Sequence, residues 1–81
     1  MVYIKFFASI RERIGLATFD LSYSGESSVA DILDKLAKQG EQWRLLQEQD
    51  VLVAVNQTLC GKDANVKDGD EVAFFPPVTG G

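Results

Sequence analysis

Only one stretch of this chain carries helical periodicity, and strand-like runs flank it on both sides. Val29, Ile32, Leu33 and Leu36 recur at i, i+3, i+4 and i+7, which lays a single apolar stripe along a helix. Ser28 stands where an N-cap is needed, Asp31 holds the capping-box position, and Gly40 follows Lys35 and Lys38 as a stop. Residues 2–7 and 17–23 precede this helix, and 51–55, 58–60 and 71–75 follow it, all rich in β-branched, aromatic or aliphatic side chains. The order is therefore β-β-α-β-β-β. It predicts an α+β fold, a sheet with the helix across one face. Eighty-one residues leave room for one core and no second domain.

Strand parity sorts the side chains. Val2, Ile4 and Phe6 share one face, with Tyr3, Lys5 and Phe7 on the other. In the last strand Val72 and Phe74 oppose Glu71, Ala73 and Phe75. The first and last strands are the candidates for central neighbours, because each is strongly apolar on one side. Residues 9–15 read as a loop or a single helical turn, and Trp43, Leu45 and Leu46 as a short second helix or turn closing one end of the core. Asn56-Gln57 and Lys67-Asp68-Gly69-Asp70 are turn sequences, the latter with too few clustered oxygens for a divalent cation. Pro76-Pro77 ends the last strand, since neither residue can donate to a ladder.

Composition excludes several classes. Eight Lys and Arg stand against twelve Asp and Glu, a net charge of −4, all of it lying beyond residue 44. No basic field exists for phosphate backbones, which argues against nucleic-acid binding. The acidic half reads as a solvated face, or as one that steers towards basic partner surfaces. Histidine is absent, which removes the commonest general base and the usual nitrogen ligand for metals; no metal site is expected. The single cysteine, Cys60, cannot form an internal disulfide, and it reads as a half-buried filler. With no apolar run of about 20 residues and no leader pattern, the expectation is a cytoplasmic protein without a membrane span.

The most informative segment is the end. Val78, Thr79, Gly80 and Gly81 follow the two prolines. Paired prolines favour an extended geometry that holds a tail away from its domain, and two glycines present bare backbone able to enter a narrow channel. The expectation is a folded domain over 1–77 and a flexible tail over 78–81, unless that end is simply frayed. The group such a tail delivers is a carboxylate, which an ATP-derived acyl-adenylate would make reactive towards sulfur nucleophiles. Phe7, Leu59 and Phe75 should project from the sheet face opposite the helix, with Arg11 at the rim. Such a patch marks an interface unless the short helix around Trp43 covers it.

Phe6-Phe7-Ala8 with Arg11-Glu12, the segment 53–59 and the ending from Asp68 to Gly81 together resemble the small, sulfur-carrier subunits of molybdopterin synthase. The likeness covers nearly the whole chain. It implies a ubiquitin-like β-grasp, a mixed sheet of about five strands with one main helix packed across one face and a short second helix. It also implies a carrier rather than a catalyst, with no bound cofactor. An ubiquitin-activating-like adenylyltransferase would use ATP to adenylate Gly81. A cysteine-desulfurase relay would convert that end to a thiocarboxylate. Val78, Thr79 and Gly80 would insert with it into the large catalytic subunit, where sulfur passes to cyclic pyranopterin monophosphate. Two carriers and two large subunits would form a heterotetramer. The rival readings are a ubiquitin-like sulfur carrier for thiazole or transfer-RNA thiolation, a protein modifier conjugated through Gly81, and a plain interaction domain with an inert tail.

Overall fold

The computed structural model describes residues 1–48 and 50–77. The chain runs β1 (Val2–Phe6), α1 (Ala8–Ile14), β2 (Thr18–Leu21), α2 (Val29–Gln39), a 3-10 segment (Glu41–Gln47), β3 (Leu52–Val55), β4 (Thr58–Cys60) and β5 (Glu71–Phe75). The strands form one mixed sheet in the order β2-β1-β5-β3-β4. β1 and β5 are the neighbours near its centre that their one-sided apolar faces predicted, and they run parallel, with Ile4 beside Val72 and Phe6 beside Phe74. The other pairings are antiparallel.

The core lies between the inner sheet face and α2. Val2, Ile4, Phe6, Val72 and Phe74 are buried against the helix stripe of Val29, Ile32, Leu33 and Leu36. Each such side chain contributes about 1.5–3 kcal/mol relative to exposure. Trp43 closes one end, stacking on Phe6 with ring centroids 5.8 Å apart and tilting against Phe19 at 4.9 Å.

The start of α2 is satisfied by a distant loop as well as by its own cap. Asp31 N donates to Ser28 Oγ at 3.3 Å and Ile32 N to Ser28 O at 3.1 Å. Val29 N and Ala30 N, otherwise orphaned, donate to the carbonyls of Ala64 at 3.0 Å and Lys62 at 2.8 Å. The Asp31 carboxylate turns to Ser27, accepting from its N at 3.2 Å and its Oγ at 2.8 Å. Gly40 ends α2 in extended backbone, φ 174°, and leads straight into the 3-10 segment.

One expectation needs correcting. Residues 9–15 are not a loop or single turn: Ala8–Ile14 is a seven-residue helix. Ile10 is buried, half-buried Ile14 packs against the core one turn later, and Gly15 closes the helix in the left-handed region at φ 85°. The i, i+4 isoleucine pair followed by glycine was the available signal. It is faint because no side chain caps the start, where Phe7 holds the N-cap position without a side-chain bond.

Candidate functional site

The sheet's outer face follows from the strand register. Directly opposed residues point to the same side, so Leu59, Ala54, Ala73, Lys5 and Thr18 form one row across all five strands. The next row towards the end of β5 sets Leu52 opposite Phe75. Phe7 continues that row, one residue beyond the Phe6–Phe74 pair, with its N donating to Phe74 O at 3.1 Å. Phe7 is 48% exposed and Leu59 63%, while Phe75 and Leu52 are half-buried.

Trp43 packs on Phe6 and Phe19, side chains of the inner face, so it leaves the outer patch open. Arg11 lies on α1 one turn after Phe7, its N donating to Phe7 O at 3.3 Å. It is exposed, with no ion pair among the described residues.

Sequence reasoning missed three members. Leu52 and Ala54 floor the patch from β3, whose unbroken apolar run hid which residues faced outward. Leu16, 43% exposed, follows α1, and the β1–β2 register carried on past Lys5–Thr18 and Phe6–Ala17 brings it level with Phe7. The β1–β2 register that brings it there was not part of the sequence reading.

The backbone around this patch is held in unusual conformations. Ala8 has φ 51°, a left-handed value that turns the chain from β1 into α1 at a penalty of about 1 kcal/mol for an L-residue. Phe7 and Ile10 can thereby serve opposite sides, one in solvent and one in the core. At the β3–β4 hairpin Asn56 and Gln57 have φ 49° and 70°, as a tight primed turn requires, and this places Leu59 on the edge strand.

Among the described residues the patch has no titratable machinery of its own. The carboxylates held below their usual range serve elements elsewhere: Glu26 at about 2, chiefly through Lys35 ahead of α2, Asp31, chiefly through the Ser27 hydroxyl at the start of α2, and Asp70, chiefly through Asn56 at the start of β5. Cys60 packs half-buried against the core, its Sγ 3.8 Å from Val53 O. Among the described residues no cluster of three or more His, Cys, Asp and Glu could hold a metal ion. No described helix is long and apolar enough to cross a membrane. Pro76 and Pro77 continue from Phe75 at the patch end of β5. The expectations for Val78, Thr79, Gly80 and Gly81 lie outside the described residues.

A mixed five-stranded sheet gripping one long helix, with an apolar outer face beside the end of its last strand, defines a ubiquitin-like protein of the β-grasp class. The ThiS family model matches residues 4–81, and the chain belongs to the ThiS family. It is 45% identical over 82 residues to the molybdopterin synthase sulfur carrier subunit of Haemophilus influenzae, with all of both chains covered. Among solved structures, small archaeal modifier protein 1 of Haloferax volcanii superposes with a TM-score of 0.74 at 26% identity, covering 95% of this chain and 97% of that one. The complex of subunits 1 and 2 of molybdopterin-converting factor from Helicobacter pylori contains a chain matched at TM-score 0.63 and 25% identity, covering 99% of this chain and 97% of that one.

Proposed function

We propose that this chain is the sulfur-carrier subunit of a molybdopterin synthase, and that the Gly81 carboxyl carries the sulfur. An ubiquitin-activating-like adenylyltransferase joins that carboxylate to AMP, releasing pyrophosphate from ATP. A persulfide carried by a cysteine-desulfurase relay displaces the AMP to give an acyl disulfide, and a thiol reductant then cleaves its S–S bond to leave the thiocarboxylate. Val78, Thr79 and Gly80 then thread Gly81 into the large subunit, where the sulfur passes to cyclic pyranopterin monophosphate. The folded domain, residues 1–77, contributes recognition through Phe7, Leu59 and Phe75 with Arg11 at the rim. The catalytic side chains reside on the large subunit, the carrier binds no cofactor of its own, and the work is done in the cytoplasm.

The observation that carries this reading is the alignment itself. The family match runs through to Gly81, and the 45% identity to a sulfur carrier subunit spans both chains completely. The exposed apolar face beside the end of β5 supports it physically, because a carrier must dock before its tail can reach a buried centre. A second reading, a modifier joined to lysines through Gly81, is favoured by the likeness to a small archaeal modifier protein. Intact-mass spectrometry after incubation with ATP, the activating enzyme and a sulfur source tests the first reading. The expected product has one carboxyl oxygen replaced by sulfur. An unchanged mass, with Gly81-linked adducts on other proteins in extract, would favour the second.

A further inference from the structure

The outer face of the sheet is not apolar throughout. At the end remote from Phe7 it opens into a shallow cleft lined by Tyr3, Lys5, Thr18, Asp20, Gly69 and Glu71. The register sets Tyr3 between two carboxylates, Asp20 opposite it on β2 and Glu71 beside it on β5. Lys5 pairs with Glu71 at 3.0 Å. Asp20 is exposed and makes no ion pair or side-chain hydrogen bond among the described residues. Tyr3 is 45% exposed, so part of its ring is open to a ligand. An aromatic face beside an unneutralised carboxylate attracts a cation: the ring quadrupole draws the charge and the carboxylate accepts its N–H donors.

We infer that this cleft receives a basic side chain, an arginine by preference, from the same protein partner that covers Phe7, Leu59 and Phe75. The inference rests on the carrier reading. Its warrant is the unpaired charge of Asp20 beside the open ring of Tyr3, together with continuity of surface. Tyr3 and Phe7 lie on one strand four residues apart, roughly 13 Å, and a standard interface of about 800 Å² per partner spans both. Arginine is preferred because its planar fork meets a carboxylate edge-on while its face stacks on the tyrosine. Lys5 neutralises Glu71, so the cleft keeps one carboxylate for one incoming cation.

Titration calorimetry of the full chain with the purified large subunit at about 50 mM salt tests this. Asp20→Asn and Tyr3→Ala should each weaken binding about three- to fivefold, and Asp20→Asn should flatten the salt dependence. Lys5→Gln should act in the opposite direction, tightening binding and steepening the salt dependence, because it releases Glu71. All three side chains contact solvent, and melting curves check that each variant folds. Unchanged affinity and salt dependence for Asp20→Asn and Tyr3→Ala, with the parent binding normally, overturns the cleft alone. Failure of the parent chain to bind the large subunit overturns the carrier reading with it.

Discussion

Asn56 and Asp70 tie the β3–β4 hairpin to the start of β5: Asn56 Nδ2 donates to Asp70 Oδ1 at 3.0 Å. Asn56 Oδ1 also accepts from Glu71 N at 3.0 Å, while Asp70 Oδ2 accepts from Lys67 N at 2.8 Å. One side chain thus sits in a left-handed turn and fixes two strands at once, which sets where Leu59 and Phe75 stand relative to each other. Asn56 is also the main cause holding the Asp70 carboxyl below its usual range.

Replacing Asn56 should therefore be felt well beyond the hairpin. Asn56→Ala loses both bonds and puts a residue less suited than asparagine at φ 49°. Urea unfolding should show a loss of about 1.5–3 kcal/mol at neutral pH. The Asp70 contribution is present above the unfolded carboxylate value of 3.8 and is lost as pH falls through the lower folded value. The gap between the variant and its parent should consequently narrow below about pH 4.

Lys35 acts as a clamp ahead of α2. Its ammonium donates to Glu26 at 2.7 Å, to Ser24 Oγ at 2.6 Å and to the Ser22 carbonyl, gathering the β2–α2 connection onto the helix. That contact holds the Glu26 carboxyl at about 2 against an ordinary 4.5. The folded value is depressed, so the stabilisation is complete above pH 4.5 and disappears as pH falls towards 2. Glu26→Gln should lose on the order of 1–2 kcal/mol at pH 7, and its denaturation midpoint should converge on the parent's in acid.

Leu59 separates docking from folding. It is 63% exposed on an edge strand, so Leu59→Ser should change stability by no more than about 0.5 kcal/mol. On the carrier reading, binding to the large subunit should weaken at least about tenfold, because Leu59 is the most exposed apolar side chain of the proposed docking face. Equal affinity with an unchanged melting temperature would remove this patch from the interface.

Much of this was legible because period and parity report one-sided burial directly. The stripe from Val29 to Leu36 specified α2, and the alternation in residues 2–7 and 71–75 separated the core from the outer patch. Other features depend on partners remote in sequence. The carbonyls of Lys62 and Ala64 complete the first turn of α2 from about 30 residues away, as no local pattern could announce. The residues 9–15 failed for a different reason: α1 is too short to show a stripe and begins without a capping side chain. The cation cleft needed the register between β1, β2 and β5 before Asp20, Tyr3 and Glu71 could be seen as neighbours.

The central proposal concerns a single backbone carboxyl, and a chain truncated after Gly80 examines it directly. Reconstituted with the activating enzyme, ATP, a sulfur source, the large subunit and cyclic pyranopterin monophosphate, the truncated chain should melt like its parent and yield no molybdopterin. Product formed at the parental rate would contradict the account.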